Sequence, residues 1–191
     1  MKVVAIMGSH RKNGHTRKIL KYFLDQIKKE NSIRYIDVNV VYIEPCKGCD
    51  YCVRHQGECV IKDDDMSDIY KELMASDMII IASPVYFSAF PSKFKTMIDR
   101  TQMIYNLKDH SEINPKKIIV IGVGGAPYYG NQFKGMEYTL EWYLKNFNAT
   151  EIKIVKISHT DKTPAIENEH ARRELDTLAE EINNLKEKEN G

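Results

Sequence analysis

Short apolar runs alternate with longer amphipathic segments along the chain, and this alternation is what most limits the possible folds. The runs are rich in β-branched residues and end near glycine or proline, which is typical of strands. Between them, apolar residues recur every three or four positions, as on the buried face of a helix. The pattern predicts five strands, at residues 3–8, 36–43, 78–84, 116–125 and 151–158, and five helices after them, one over residues 92–105.

Strands that alternate with helices favour an α/β fold in which helices cover both faces of a parallel sheet. The first, third and fourth strands are continuously apolar and therefore central, whereas the second and fifth are more polar and belong at the edges. This is the flavodoxin-like three-layer sandwich, a five-stranded parallel sheet of order 2-1-3-4-5. Since no repeat or linker interrupts the pattern, we expect residues 1–191 to form a single domain with a cysteine-rich insertion at residues 44–62.

The charge of the chain is nearly balanced, with 28 basic and 27 acidic residues. A chain with a net charge of +1 has no field of one sign to attract nucleic acid or an anionic membrane. The apolar run near residue 1 is too short for a signal peptide or a membrane span. We therefore expect a cytoplasmic protein with no nucleic-acid or membrane partner, whose thiols stay reduced.

The loop after the first strand, GSHRKNGHT (8–16), contains the donors of an anion site. Loop amides and a helix N-terminus present free N–H groups, Ser9 and Thr16 add hydroxyls, and Arg11 can pair with phosphate. The loop lacks the spacing and the lysine of a nucleotide triphosphatase loop, and no G-x-G-x-x-G follows the strand. An ordinary polar turn remains the alternative, but ligands of such sheets bind where the strand order reverses, beyond strands 1 and 3. A phosphate monoester site is therefore favoured.

GSHRKNGHT resembles the GSPRKNGNT-type loop of NADPH-dependent FMN reductases, a flavodoxin-like family. The resemblance implies FMN as the cofactor, with its phosphate held by Ser9, Arg11, Asn13 and Thr16 and by loop amides, which include those of Gly14 and His15. His10 and His15 replace proline and asparagine of the family pattern. Both replacements are compatible with phosphate binding.

The segment SPVYFSAFPSKFKTMIDR (83–100) is similar to the SPVY…K…DR segment of the same family, in which this turn lies against the flavin. Pro84 ends the third strand, so we expect free amides at Val85, Tyr86 and Phe87 to bond the pyrimidine edge of the ring. Three further matches lie on the following helix, and we interpret them as helix capping and surface pairing: Lys95, Asp99 and Arg100.

Two glycines follow the fourth strand, in GVGGAPYYGNQ (122–132). Gly124 and Gly125 would let the backbone approach a planar ring closely, and Tyr128 and Tyr129 could stack on it or gate a substrate. A common turn explains two adjacent glycines equally well. The convergence of three loops at one edge of the sheet is the stronger indication of a flavin site.

All four cysteines lie in CKGCDYCVRHQGEC (46–59), within a link that is long for a compact domain. Three interpretations compete for Cys46, Cys49, Cys52 and Cys59. Closely spaced cysteines can wrap an iron–sulfur cluster, zinc usually takes two separated pairs, and a metal-free loop could hold packing or exchangeable thiols. The full pattern resembles the cysteine motif of the iron–sulfur flavoproteins, which implies a [4Fe–4S] cluster near FMN.

The resemblance implies an FMN-dependent oxidoreductase that transfers electrons between a one-electron carrier, such as ferredoxin, and a two-electron acceptor. The alternative enzyme is a cluster-free reductase of FMN or quinones that takes electrons from NAD(P)H. A pure electron carrier is disfavoured, because long-chain flavodoxins are strongly acidic and this chain is not. The family implies a homodimer or homotetramer. Because the flavin carries the chemistry, no catalytic side chain is expected.

Overall fold

Five strands form one parallel sheet in the order β2-β1-β3-β4-β5. The computed structural model describes residues 1–27, 29 and 31–189. The strands are β1 (Lys2–Met7), β2 (Ser32–Asp37), β3 (Met78–Pro84), β4 (Lys116–Val123) and β5 (Ala149–Ile157). The predicted flavodoxin-like order is therefore confirmed.

Helices cover both faces of the sheet. They are α1 (His15–Ile27), α2 (Tyr51–Arg54), α3 (Met66–Ala75), α4 (Ser92–Arg100), α5 (Gln102–Tyr105), α6 (Lys134–Lys145) and α7 (Glu169–Glu189), with a 3-10 turn at Ala165–Glu167. In the part of the chain that the structure describes, no helix combines the length and the apolar character needed to cross a membrane.

The core has two layers because side chains alternate along each buried strand. In β1, Val3, Ala5 and Met7 pack with the apolar faces of α1 and α7. Val4 and Ile6 point to the other face, where α3, α4 and α6 supply the packing. Since both faces of β1, β3 and β4 are buried, their sequences are continuously apolar.

The second strand was predicted at residues 36–43, and this range is wrong. β2 begins at Ser32 and ends at Asp37, after which the chain turns. The Asp37 carbonyl accepts hydrogen bonds from the amides of Val40 and Val41, and its carboxylate accepts one from the amide of Asn39. The apolar residues beyond Asp37 have the sequence pattern of a strand although they lie in a turn, whereas the edge strand β2 is partly polar.

The helix predicted over residues 92–105 is interrupted. α4 ends at Arg100, and α5 starts at Gln102. Thr101 lies between them, and its hydroxyl donates to the carbonyl of Ile98 at 2.6 Å. This local bond competes with the regular helical ladder and is consistent with the break.

Candidate active site

The loop between β1 and α1 is held against β3. The amide of Gly8 donates to the carbonyl of Ala82 at 2.8 Å, and a Cβ at Gly8 would lie 3.2 Å from that oxygen. Ser9 is buried, and its hydroxyl accepts a hydrogen bond from the amide of Arg11. His15 and Thr16 open α1, a helix of 13 residues whose first amides have no helical partner. The loop and the positive end of the helix dipole together favour an anion.

A second layer of contacts supports this loop from β2. Asp37 pairs with Arg17 at 2.5 Å and accepts hydrogen bonds from Asn39, whose side-chain amide also donates to the carbonyl of Ser9 at 2.6 Å. Burial acts to raise the pKa of Asp37, but the hydrogen bonds from Arg17 and Asn39 outweigh it, so that the pKa is lowered. Asp37 therefore stays ionised and keeps the loop in place.

One polar pocket of about 380 Å³ opens at the carboxyl edge of the sheet, where the strand order reverses. It is lined by Ser9, Arg11, Gly14, His15, Thr16, Pro84, Val85, Tyr86, Val123, Gly125, Thr160 and Asp161. Nine of these twelve residues are among the cofactor-binding residues named from the sequence. Loops after β1, β3, β4 and β5 thus meet at the edge at which ligands of such sheets bind.

The amides of Val85 and Tyr86 are not free, so the expectation that they bond a flavin is wrong. The Val85 amide donates to the carbonyl of Val123 at 2.9 Å, which continues the pairing of β3 with β4. The Tyr86 amide donates to the carbonyl of Ala89 at 3.0 Å and closes a tight turn. Both residues nevertheless line the pocket.

Three residues named from the sequence lie outside the lining. Asn13 is exposed. Phe87 is fully exposed, with a positive φ of 50°. Gly124 is buried, and its amide donates to the carbonyl of Ile157 while its own carbonyl accepts from the amide of Thr160.

Thr160 and Asp161 line the pocket but were not predicted from the sequence. They follow β5, and the amide of Asp161 donates to the carbonyl of Gly125 at 3.1 Å. A Cβ at Gly125 would lie 2.6 Å from the Asp161 carboxylate, so a larger residue there would force this side chain to move. The signal was the polar stretch SHTD after the last strand, at the same edge as the other loops.

The two histidines of the loop each keep one buried ring nitrogen without a partner among the described residues, Nε2 of His10 and Nδ1 of His15. His10 stands edge-on to the ring of Tyr86, with centroids 6.4 Å apart. His15 lines the pocket. These nitrogens are polar groups that a bound molecule could satisfy.

The four cysteines line a second, smaller pocket of about 110 Å³. All four are free thiols; Cys46 and Cys49 are exposed, while Cys52 and Cys59 are partly buried. Among the residues that the structure describes, no group of three or more His, Cys, Asp or Glu side chains is arranged to hold a metal ion. The four thiols thus line one pocket but are not arranged in metal-binding geometry.

The cysteine segment turns tightly, and several backbone positions have positive φ. These are Gly48, Asp50, Gln56 and Gly57. The amide of Gly57 donates to the carbonyl of Cys52 at 2.8 Å, and Arg54 donates to the carbonyl of Cys49. The side-chain amide of Asn106, just after α5, donates to the sulfur of Cys52 at 3.5 Å.

Arg100 anchors this segment and is not the surface residue that the sequence suggested. Its side chain and that of Asp64 are both fully buried and form an ion pair. The guanidinium also donates to the carbonyls of Glu44 and Ile61, at the two ends of the segment. The expectation of a surface pair is confirmed for Lys95 and Asp99, which are half-exposed and 2.5 Å apart.

Comparison with known proteins identifies the class to which this fold and these pockets belong. The chain belongs to the NADPH-dependent FMN reductase family, whose model matches residues 1–153. It is accordingly a flavin-dependent oxidoreductase with FMN as its flavin.

Within this family the chain is similar to iron–sulfur flavoproteins. It is 34% identical to the iron–sulfur flavoprotein of Methanosarcina thermophila over 147 residues, which cover 74% of this chain and 72% of the relative. An iron–sulfur flavoprotein of Methanocaldococcus jannaschii is 32% identical over 148 residues, covering 77% and 71% of the two chains. The solved NAD(P)H:quinone oxidoreductase of Methanothermobacter marburgensis superposes with a TM-score of 0.71 at 15% identity, over 93% of this chain and 98% of its own, and shows the same fold.

Proposed function

We propose that the protein holds a [4Fe–4S] cluster beside its FMN and exchanges electrons between a one-electron carrier and a two-electron acceptor. The observation that carries this proposal is the single pocket lined by four free cysteines in a flavin-dependent oxidoreductase. When bound, the flavin supplies two-electron chemistry and the cluster supplies single electrons. The protein contributes binding, orientation and the electrostatic surroundings.

The larger pocket fits FMN. Its volume of about 380 Å³ lies in the range of cofactor sites. The N-terminus of α1, the Thr16 hydroxyl and the Arg11 guanidinium would hold the phosphate. The unpartnered Nδ1 of His15, buried at the lining, is a further polar group for the ligand to satisfy. Pro84, Val85 and Tyr86 would form an apolar wall for the ring.

The smaller pocket fits an iron–sulfur cluster through its donor set. Thiolates of Cys46, Cys49, Cys52 and Cys59 are the ligands that such clusters use. The bond from Asn106 to the Cys52 sulfur is of the type that tunes cluster sites. Free thiols also suit a reducing compartment, which supports a cytoplasmic location.

The donor and the assembly state are part of the same proposal. A ferredoxin-like carrier or NAD(P)H would supply electrons, and the family name supports the nicotinamide. A homodimer or homotetramer is supported by exposed aromatic side chains beside and beyond the flavin pocket: Tyr86, Phe87, Tyr128, Tyr129 and Trp142.

A cluster-free NAD(P)H-dependent FMN or quinone reductase is the second candidate. It is favoured by the exposure of Cys46 and Cys49 and by the lack of a ready metal site among the described residues. Rapid oxidation of NADPH by the isolated protein, without iron and without ferredoxin, would support it.

Replacing Cys59 with alanine separates the two candidates. We expect Cys59→Ala to lose most of its iron while it retains FMN, because Cys59 is a proposed ligand and lies outside the flavin pocket. The measurement is iron and FMN per chain after anaerobic purification. Unchanged iron would contradict a role for this thiol, and joint loss of iron and FMN would show that the segment is structural.

A further inference from the structure

Arg100 has one N–H donor that its contacts with the cysteine segment and Asp64 do not use. Two of its three guanidinium nitrogens have partners: Nη1 donates to the Glu44 carbonyl and to Asp64, and Nη2 donates to the Ile61 carbonyl and to Asp64. The third, Nε, is buried and has no partner among the described residues. A buried N–H of a charged group without an acceptor is costly, so a bound group that accepts a hydrogen bond from it would stabilise this arrangement.

The pocket beside Arg100 is the one that the cysteines line. Arg100 lines that pocket together with all four cysteines, whereas its counter-ion Asp64 is not among the lining residues. The positive member of the buried ion pair is therefore a lining residue of the cysteine pocket, and the negative member is not.

The physical consequence concerns the charge of a cluster held by four thiolates. Reduction adds one electron from an external one-electron donor, breaks no bond, requires no proton and makes the site more negative. A buried cation and N–H donors stabilise the more negative state more strongly, since the surroundings screen them little. Net charge and hydrogen bonds to sulfur are among the factors that set cluster potentials.

We propose that Arg100 is a positioning residue that raises the reduction potential of a cluster bound at Cys46, Cys49, Cys52 and Cys59. This inference rests on the proposed function and assigns one side chain of this fold to the tuning of the site. The bond from Asn106, directly after α5, to the Cys52 sulfur acts in the same direction. Arg100 at the end of α4 and Asn106 are thus two lining residues of the cysteine pocket that carry N–H donors.

The test compares cluster potentials in variants that keep the segment folded. Arg100→Gln alone would leave Asp64 buried and unpaired, so the Asp64→Asn/Arg100→Gln double variant removes both charges together. Arg100→Lys keeps the charge but lacks the Nε donor. Lys95→Gln is the matched control, because Lys95 lies on the same helix in an exposed pair and outside the cysteine pocket.

Redox titration of the purified proteins, followed by electron paramagnetic resonance of the reduced cluster, gives the readout. We expect the equilibrium constant for cluster reduction to be about tenfold smaller in the double variant, which corresponds to a reduction potential lower by ~59 mV for one electron. The reduction potential of Arg100→Lys should lie between those of the double variant and the wild type, and that of Lys95→Gln should match the wild type. Iron content is measured in parallel.

The measured potentials and iron contents distinguish a failure of the inference about Arg100 from a failure of the proposed function. Equal potentials in the wild type, Arg100→Lys and the double variant, with iron bound, would overturn the inference and leave the proposed function standing. If the double variant retains no iron, an Arg100→Lys potential equal to that of the wild type overturns it. A wild-type protein that binds FMN but no iron would overturn the proposed function and this inference with it.

Discussion

Gly57 lies in a tight turn of the cysteine segment. Its φ of +95° lies outside the range that other residues readily adopt, and a Cβ there would lie 2.5 Å from the side chain of Leu107. Its amide donates to the carbonyl of Cys52 and closes the turn between Cys52 and Cys59. Gly48 also has a positive φ, +59°, but a Cβ there would meet nothing within 4 Å.

We expect Gly57→Ala to lower the free energy of unfolding by about 1–3 kcal/mol and to reduce iron binding, because strain and a clash act at one position. Gly48→Ala is the matched control and should cost about 1 kcal/mol, from left-handed backbone strain alone. Urea unfolding and iron per chain measure both effects. Equal losses in the two variants would contradict this account of the turn.

In the loop between β1 and α1 (residues 8–16), which is the proposed phosphate loop, Arg11 lines the proposed flavin pocket, whereas Lys12 beside it is exposed and outside the lining. We expect Arg11→Gln to weaken FMN binding by about tenfold, at the low end of a charge-assisted hydrogen bond because Arg11 is solvent-exposed. Lys12→Gln should have little effect. Quenching of FMN fluorescence gives the dissociation constants, and equal weakening in both variants would indicate a diffuse field instead of a specific contact.

At the scale of elements, Lys116 joins β4 to α3 at the edge of the sheet opposite the pockets. Its buried ammonium donates to the carbonyls of Met74 and Ser76, each at 3.0 Å, at the end of α3. These carbonyls lack helical partners, so the side chain caps the helix. Burial lowers the pKa of Lys116 to about 8, although the charge of Asp77 acts in the opposite direction.

This shift predicts a pH dependence of stability. Between about pH 8 and the ordinary lysine pKa of 10.5, the folded protein has released the Lys116 proton and the unfolded chain has not. Because the unfolded state binds more protons, the free energy of unfolding gains about 1.4 kcal/mol per pH unit from this group in that window. The contribution is absent in Lys116→Met, so the wild type should gain stability relative to this variant as pH rises.

Urea unfolding between about pH 7 and pH 10 measures the difference. Lys117→Met is the control, since Lys117 forms a surface pair with Glu151 and should give a constant difference across the window. A constant difference for Lys116→Met as well would show that this lysine keeps its ordinary pKa in the folded protein.

α4 relates the two pockets to each other. Phe94 packs beneath the phosphate loop, where a Cβ at Gly8 would lie 3.2 Å from its ring. Six residues later, Arg100 ends the helix inside the cysteine pocket. One helix of nine residues, about 13 Å long, therefore contributes a residue beside each of the two pockets.

At the scale of the whole molecule, the sheet was predictable because burial on both faces leaves a clear mark on sequence. β3 and β4 are continuously apolar, and they do lie in the centre. The limits of β2 were missed because Ser32 and Arg34 are polar on an edge, while the apolar residues after Asp37 form a turn. A pattern of hydrophobicity cannot distinguish these cases, since hydrogen bonds decide them.

The site was predictable only where the residues are close in sequence. The phosphate loop and the cysteine segment each carry their signal in one short stretch. The burial of Arg100 depends on Asp64, 36 residues earlier, and on carbonyls that meet it only in the folded chain. The occupied amides of Val85 and Tyr86 likewise depend on β4 and on a local turn.

Metal and sulfide analysis of anaerobically purified protein determines whether the four thiols hold the proposed iron–sulfur cluster. We expect about four iron atoms and four acid-labile sulfides per FMN, with visible absorbance beyond the flavin bands that bleaches on one-electron reduction. A yellow protein that retains FMN and contains no iron or sulfide, or contains zinc instead, would contradict this expectation.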